Sequence, residues 1–240
     1  MLEIASLAFW IAVLQIIAID ILLGGDNAVV IALACRKLPD SQRNKGIFWG
    51  VVGAIALRVV MIFFALQLLA IPWLKVVGAL LLFWIGVKLL LPEDDGHGDI
   101  TPAENLLAAI KTVIVADAVM SLDNVIAVAG AAHGDLRLVI FGILVSIPIV
   151  VWGSQLVLKM MDRYPQVITA GGALLGWIGG GMIVTDPALP PGLIAGIPHA
   201  KTLAEILGAA LVVVLGKWLT SRANNRSKED LATPSKETST

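Results

Sequence analysis

The chain has 240 residues, of which 58% are hydrophobic and only 15% are charged, with a net charge of −1. Soluble domains have roughly 45–50% apolar and about 25% charged residues, so this composition excludes a single water-soluble domain and predicts a protein with several membrane spans. The near-zero net charge excludes the basic excess of a nucleic-acid-binding protein, and the single cysteine, Cys35, excludes a disulfide framework.

Seven apolar segments match the length of a membrane-spanning helix, which needs about 20 residues to cross roughly 30 Å of hydrocarbon. In chain order they are 5–34, 46–70, 72–91, 106–130, 136–158, 166–185 and 203–219. Their apolar runs are continuous and do not alternate with a period of two, which disfavours a β-barrel. The predicted fold class is therefore all-α, a polytopic membrane protein with seven transmembrane helices.

The connections divide the basic residues unevenly between the two membrane surfaces. Thirteen lie on one predicted side, in the 1–2, 3–4 and 5–6 loops and after the last span, whereas the other side holds Lys75, Arg137 and Lys201. Because basic residues accumulate on the cytoplasmic side, we expect the N-terminus outside and the C-terminus inside a bacterial cytoplasmic (inner) membrane. Residues 92–105 are predicted to be an acidic cytoplasmic loop, and the polar residues 220–240 a disordered cytoplasmic tail.

An internal repeat relates the two halves of the chain. One set of polar residues and its copy 97 positions later are Asp20, Asp26 and Asn27, and Asp117, Asp123 and Asn124. A second set of matches relates segment 72–86 to segment 165–179 at an offset of 93. The two copies, 1–91 and 106–185, hold three spans each.

An odd number of spans inverts the second copy relative to the first in the membrane. Inverted repeats are the plan of many secondary transporters, whose substrate sites lie near the midplane between the repeats. Residues 186–219, a loop and the seventh helix, stand outside the repeat. The alternative is an old duplication kept only for helix packing. Within the second copy, six glycines between positions 171 and 181 predict a helix that packs closely against a neighbour.

Five charged residues lie well inside the predicted spans, away from the span ends: Arg58, Asp20, Asp26, Asp117 and Asp123. A charged residue at the centre of a bilayer costs about 2.5–3.5 kcal/mol on insertion scales, so these groups need partners. One arginine can pair with one aspartate but not with four, which leaves a formal charge of −3. The sequence therefore predicts a site filled by cations or protons, and the alternative is a salt-bridge lattice that only fixes helix packing.

The spacing of the polar residues limits how they can converge. Asp117, Ser121 and Asn124 lie at i, i+4 and i+7 on one helical face, as do the corresponding residues of the first copy. The second aspartate of each copy lies six positions after the first, about 240° around a regular helix. All four carboxylates meet only if the helix bends or if neighbouring helices surround it. Gly24-Gly25 favours a break in the first copy, whereas Ser121-Leu122 in the second does not.

The donor atoms indicate the kind of cation. Carboxylate and amide oxygens suit Mg²⁺, Ca²⁺ and Mn²⁺, whereas imidazole and thiolate suit Zn²⁺, Cu²⁺ and Ni²⁺. All three histidines fall in predicted loops, which disfavours a soft-metal site. Met120 lies three residues from both Asp117 and Asp123, and a thioether there favours Mn²⁺, unless Met120 only fills packing space. Possible accessory residues are Met120, Ser121 and Arg58.

Three segments together resemble the TerC family of integral membrane proteins, in its short YjbE-type branch. They are GGDNAVVIAL at 24–33, LPDSQRNKGIFWGVVGAIALR at 38–58 and DAVMSLDNVIAVAG at 117–130. The resemblance covers about 1–219 and implies a seven-helix bundle distantly similar to LysE-type exporters. It also implies efflux of divalent metal ions, chiefly manganese. Carried over by position, the membrane acidic residues of the family fall on Asp20, Asp26, Asp117 and Asp123, beside Asn27 and Asn124.

The sequence therefore predicts a transporter, not an enzyme, that exports Mn²⁺ by alternating access with exchange of protons. Manganese is the cargo, and no resident cofactor is expected; the oligomeric state is left open. One alternative is an exporter of Ca²⁺, another cation or an amino acid, and another is a membrane scaffold that supports metal homeostasis. An intramembrane aspartyl protease is a further alternative, but it leaves the second aspartate pair and the doubled asparagine unexplained.

Overall fold

The structure, a computed structural model, describes residues 10, 11, 14, 25–64, 67, 68, 70–91, 102–131, 136–190 and 196–232. Of these, the side chains of 102–104, 123–131, 136–140, 142, 143 and 224–232 are not described. The regular elements of these ranges are all helices, as predicted. In chain order they are α1 (Gly25–Cys35), α2 (Asp40–Phe63), α3 (Leu74–Leu90), α4 (Pro102–Ala131), α5 (Leu136–Arg163), α6 (Gln166–Val184) and α7 (Ala200–Ala232).

Five of these helices contain segments that are long and apolar enough to cross a membrane. The segments are Asp40–Phe63, Asn105–Leu122, Leu144–Arg163, Gln166–Val184 and Ala200–Ala223. Helix α1 is apolar but shorter over its described residues, and α3 has 17 residues, about 26 Å of helix. The chain is therefore a multi-pass membrane protein.

Some helix boundaries differ from the prediction. Helix α2 begins at Asp40 and not at 46, because Pro39 precedes it with φ −53° and the Asp40 carboxylate favours the positive end of the helix dipole. Helix α4 begins at Pro102, so the end of the predicted 92–105 loop is helical. Proline suits the first helical position, where its missing N–H group is not needed.

Helix α7 also runs past its predicted end at 219 and continues to Ala232, so the first part of the segment predicted as a disordered tail is helical. Residues 217–233 contain no glycine or proline, and each added residue of an established helix gains one backbone hydrogen bond. Pro234 follows, and the residue before a proline disfavours the helical conformation.

Helix α4 is continuous over 30 residues and passes through Ser121-Leu122 without interruption. Any convergence of polar groups on α4 therefore depends on the helices around it. The break predicted at Gly24-Gly25 includes Gly24, which lies outside the described residues.

The polar and glycine residues of α2 set its contact with α4. A methyl group at Gly46 would meet Leu106 at 3.4 Å, and one at Gly50 would meet Val113 at 3.0 Å. Eight residues after Gly50, Arg58 reaches Asp117. Residue numbers rise together along both helices, so α2 and α4 run parallel.

Helices α3 and α6 run antiparallel and are also joined through glycine. A methyl group at Gly78 would meet Met182 at 3.1 Å, and one at Gly86 would meet Leu175 at 3.3 Å. Helix α7 packs against both helices, most extensively against α6.

Helix α1 lies in the core of the bundle. Its residues 30–35 are buried, and Ala32, Leu33 and Cys35 are fully inaccessible. Leu33 packs against Gly171 of α6, while Ala28 lies 3.7 Å from the position of a methyl group on Gly153 of α5. The start of α1 therefore brings Asp26 and Asn27 into the interior of the bundle.

One end of the bundle gathers basic side chains. Arg36 Nη2 donates to the Leu89 carbonyl at 3.1 Å, Lys37 Nζ donates to the Leu91 carbonyl at 2.8 Å, and Arg43 Nη1 donates to Asp162 Oδ2 at 3.2 Å. These bonds bring together the ends of α1, α3 and α5 and the start of α2. We call this the basic end.

Candidate functional site

A buried polar cluster lies between α1, α2 and α4. Arg58 on α2 bonds to Asp117 and Ser121 on α4, and Asp26 on α1, which Asn27 follows, lies within electrostatic range of Arg58 and Asp117. All of these residues are buried except Asp26, which is half-buried. We call these five residues the polar cluster. All five are among the nine site residues that the sequence predicted.

Arg58 and Asp117 form a buried ion pair. Arg58 Nη2 donates to Asp117 Oδ1 at 2.5 Å, and the two side chains are only 7% and 5% exposed. Arg58 Nε donates to Ser121 Oγ at 3.1 Å, and the Ser121 hydroxyl donates to Asp117 Oδ2 at 3.3 Å. Ser121 follows Asp117 by one turn of a continuous helix, so both residues face the same guanidinium.

Asp26 and Asn27 carry the polar atoms that these bonds leave over. The Oδ1 atoms of both residues are buried and have no hydrogen-bond partner within the ranges that the structure describes. Asp26 lies within electrostatic range of Asp117 and Arg58. A buried oxygen without a partner is costly, about 1–3 kcal/mol and more for a charged group, so these two atoms are favourable positions for a cation.

Exposure changes along the first described residues of α1. A methyl group at Gly25 would meet no atom of the described residues within 4 Å. Gly25 is exposed, Asp26 is half-buried and Asn27 is buried, so exposure falls over three consecutive residues at the start of α1. The carboxylate of Asp26 thus lies at the boundary between accessible space and the polar cluster.

Three of the predicted ligands are not placed. Asp20 lies outside the described residues, while Asp123 and Asn124 lie in α4 with side chains outside them. Among the side chains that the structure does describe, no group of three or more His, Cys, Asp or Glu residues is close enough to hold a metal ion. The full four-aspartate site therefore stays a prediction.

Met120 precedes Ser121 on α4 and is buried in the hydrophobic core. Its position fits both interpretations of the sequence, the thioether ligand and the packing residue. Cys35 is buried at the far end of α1, and His199 lies before α7 at the opposite end of the bundle from Arg36. Neither Cys35 nor His199 therefore joins the polar cluster.

Sequence analysis missed Asp186, which ties the end of α6 to the start of α3. Its Oδ1 accepts from the backbone N–H groups of Trp73 at 2.9 Å and Ala188 at 2.8 Å. Its Oδ2 accepts from the N–H groups of Lys75 at 3.0 Å and Val76 at 3.2 Å. The only signal in the sequence was one acidic residue directly after an apolar span.

These four bonds decide the ionisation of Asp186, which lies beyond the end of α6. Burial alone would raise the pKa of its carboxyl group, but the N–H groups of Ala188, Trp73, Val76 and Lys75 hold that pKa below its ordinary value of 3.8. Trp73 adopts a left-handed backbone with φ 68°, which is costly for a bulky residue. Asp186 offsets that cost by capping the first turn of α3.

The charge of the polar cluster favours cations. Asp26, Asp117 and Arg58 sum to −1 when all three are ionised, and they adjoin the hydrophobic core. The donors available beside that charge are carboxylate, amide and hydroxyl oxygens. Chemically, this arrangement suits a hard cation.

The family that the sequence motifs resemble also matches most of this chain, and known membrane proteins are similar to it. The model of the integral membrane protein TerC family matches residues 5–226. The chain is 44% identical over 206 residues to the uncharacterized membrane protein YjbE of Bacillus subtilis, covering 86% of this chain and 94% of that protein. It is 25% identical over 191 residues to the uncharacterized membrane protein YkoY of the same organism, covering 71% and 58%.

A further relative is the UPF0053 inner membrane protein YgdQ of Escherichia coli, 24% identical over 175 residues, covering 66% of this chain and 73% of that protein. No solved structure matches the chain. The family match spans most of the chain and includes every helix that carries the polar cluster. The chain belongs to the TerC family of integral membrane proteins.

Proposed function

We propose that the protein exports divalent metal ions, with Mn²⁺ as its main cargo, by alternating access across the cytoplasmic membrane. The observation that carries the proposal is the pair of buried Oδ1 atoms of Asp26 and Asn27 that lack hydrogen-bond partners within the described ranges. They lie in a membrane protein, in electrostatic range of a second carboxylate, Asp117. A cation supplies the partner that both oxygens lack.

The proposed ligand set extends the polar cluster by the residues that the repeat adds. Asp20, Asp26, Asp117 and Asp123 supply carboxylates, and Asn27 and Asn124 supply amide oxygens. Such oxygen donors suit Mn²⁺, Ca²⁺ and Mg²⁺. Met120 next to this set favours Mn²⁺ among the three, because its sulfur is softer than oxygen.

The contact between α3 and α6 supports an inverted repeat. A methyl group at Gly86 would meet the Gly172 carbonyl at 3.5 Å, and one at Gly179 would meet the Ala79 carbonyl at 3.2 Å. At the repeat offset of 93, Gly86 corresponds to Gly179 and Ala79 to Gly172, so each contact maps onto the other. Reciprocal contacts of this kind are expected across a two-fold axis. The proposed substrate site lies near that axis, between the two copies.

The proposed orientation places the basic end in the cytoplasm. Arg36, Lys37 and Arg43 meet there, and basic residues accumulate on the cytoplasmic side of bacterial membrane proteins. The relative YgdQ bears the name of an inner membrane protein, which supports the same membrane for this chain.

Proton exchange follows from the charge of the proposed site. Four carboxylates and one guanidinium give −3, which one divalent ion does not cancel. In the proposed cycle, aspartates that release the metal outside take up protons and carry them inward. Export of the metal is thereby coupled to proton entry.

Transport by the purified protein in liposomes tests the proposal. With an internal metal-sensitive dye, we expect Mn²⁺ to cross faster than Mg²⁺ or Ca²⁺, with proton movement in the opposite direction. Asp26→Asn is expected to abolish flux, because it removes a carboxylate from the site. Asp162→Asn, which changes a half-exposed carboxylate at the basic end, is the matched control and is expected to retain flux. Equal rates in protein-containing and empty liposomes for every divalent cation would refute the transport function.

A further inference from the structure

The Arg58–Asp117 pair breaks the internal symmetry of the chain. At the repeat offset of 97, Ser121 corresponds to Gly24, and at the offset of 93, Arg58 corresponds to Val151. Asp117 therefore has a guanidinium partner whose counterpart in the other copy is a valine, and a hydroxyl partner whose counterpart is a glycine. The aspartates and asparagines are duplicated, whereas the fixed cation is not.

This one-sided cation occupies an atom that the proposed function assigns to the metal. Arg58 Nη2 donates a charge-assisted hydrogen bond to Asp117 Oδ1. A metal ion on that oxygen would lie next to a guanidinium in a region of low dielectric, where like charges repel strongly. The guanidinium and the metal ion are therefore alternative partners of Asp117.

We propose that Arg58 is a tethered competitor of the transported divalent cation. This inference rests on the proposed function. Arg58 neutralises Asp117 when the metal is absent, and the incoming metal displaces the guanidinium from Asp117 Oδ1. When the metal has reached the other side, the returning guanidinium displaces it, so Arg58 accelerates release.

The geometry favours this role over a purely structural ion pair. Among the described residues, Arg58 bonds to Asp117 and Ser121, within one turn of α4, while the Oδ1 atoms of Asp26 and Asn27 are without partners in those ranges. Asp26 senses both Arg58 and Asp117 electrostatically. A metal held by Asp26 thus repels Arg58 and attracts Asp117, which is the first step of the exchange.

Removal of the Arg58 charge should change the affinity for Mn²⁺ and the turnover of transport in opposite directions. Arg58→Gln is expected to tighten Mn²⁺ binding by at least about fivefold, the lower end of typical coupling between two ligands. Turnover in liposomes should fall, because the metal no longer meets a competitor when it leaves. Binding is measured on purified protein by equilibrium dialysis with Mn²⁺, and flux as in the transport assay above.

Guanidinium ion provides a chemical rescue. At millimolar concentrations, guanidinium chloride is expected to weaken Mn²⁺ binding to Arg58→Gln and to restore part of its turnover, whereas sodium chloride at equal ionic strength is not. Arg163→Gln is the matched control, because Arg163 is exposed at the end of α5, over the ring of Tyr164. It should bind Mn²⁺ like the unmodified protein and show no response to guanidinium.

The two proposals fail in different ways. If the unmodified protein neither binds nor moves a divalent cation, the proposed function is wrong. If it does, but a monodisperse Arg58→Gln protein binds Mn²⁺ equally or less tightly, the competitor role is wrong. If Arg58→Gln does not fold, Arg58→Lys is the test, because a lysine cannot reproduce both bonds of the guanidinium. Mn²⁺ binding tighter than in the unmodified protein supports the competitor role. Unchanged or weaker binding overturns it.

Discussion

Two helix contacts of the same bundle are built on opposite principles. Helices α2 and α4 meet through Arg58, Asp117 and Ser121, which are joined to one another by buried hydrogen bonds. Helices α6 and α7 meet through glycine: a methyl group at Gly176 would overlap the carbonyl oxygen of Gly208, and one at Gly180 would overlap that of Ala204.

The α2–α4 contact pairs buried charges with each other, whereas the α6–α7 contact sets the distance between two helix backbones. The α2–α4 contact is specific because each polar atom needs its partner, and the loss of one leaves a buried charge. The α6–α7 contact is specific because the two backbones approach each other directly at Gly176 and Gly180, so an atom added there forces them apart. The first contact is suited to change its partner, whereas the second is suited to stay rigid.

Asp117→Asn is expected to have the largest effect on stability. It takes the negative partner from the buried guanidinium of Arg58, and loss of one member of a buried pair costs about 3–5 kcal/mol. Thermal unfolding in detergent, followed by tryptophan fluorescence, measures the change. The double variant Arg58→Gln/Asp117→Asn should be more stable than Asp117→Asn alone, and a double variant with additive losses would show that the two charges do not depend on each other.

Gly180→Ala comes next. The added methyl group would overlap the Ala204 carbonyl, and overpacking of this kind costs about 1–3 kcal/mol, occasionally more. Gly25→Ala is the matched control, because its methyl group would meet no atom of the described residues within 4 Å. Its free energy of unfolding should stay equal or rise slightly, and an equal loss in both variants would contradict the glycine contact as the cause.

Asp186→Ala is expected to cost about 0.5–2 kcal/mol, the usual range for a helix cap. The change removes the acceptor of three N–H groups at the start of α3 and of the Ala188 N–H group in the turn after α6. Asp186→Asn retains one acceptor oxygen and should lose less. Hydrogen exchange of the first turn of α3 measures the effect, and unchanged exchange in both variants would argue against the cap.

The pH dependence of this cap has a defined sign. Because the pKa of Asp186 is lowered on folding, its contribution is fully present above the unfolded value of 3.8 and is lost as the pH falls through the folded pKa below that value. Exchange of the α3 N-terminus should therefore show no loss of the cap between pH 7 and pH 5. A loss of protection at pH 5 in the native protein, absent from Asp186→Asn, would contradict this prediction.

The smallest effect is expected at the basic end. The Arg43–Asp162 pair is 3.2 Å long, with side chains 24% and 53% exposed, and pairs of this kind contribute about 0–1 kcal/mol. Asp162→Asn should therefore change the unfolding temperature only slightly, and less at high salt. A loss as large as that of Asp117→Asn would remove the contrast between buried and exposed pairs.

The sequence predicted the helical class and most helix positions, since continuous apolar runs and glycine spacing are local properties. The close packing predicted from the glycines of α6 is confirmed by its contact with α7. The ends were less predictable. The extension of α7 to Ala232 depends on helix propagation through polar residues, which hydropathy does not register.

For the candidate site, the sequence identified the residues but not their pairing. The count of four aspartates against one arginine indicated that Arg58 satisfies one carboxylate, and spacing along a helix placed Ser121 beside Asp117. Neither property determines which aspartate lies opposite Arg58, because the two residues are 59 positions apart. The role of Asp186 was hidden for the same reason, since its partners at 73–76 lie more than 100 positions earlier.

By itself, the sequence determined that this chain is a helical membrane protein, and it predicted an internal repeat and an excess of negative charge deep inside the spans. These properties follow from composition, periodicity and repetition, which are read along the chain. Only the tertiary structure decided that the parallel helices α2 and α4 join Arg58 to Asp117. It also decided that the buried Oδ1 atoms of Asp26 and Asn27 have no hydrogen-bond partner within the described ranges. Such pairings depend on which helix faces meet, and that is settled by packing over the whole bundle.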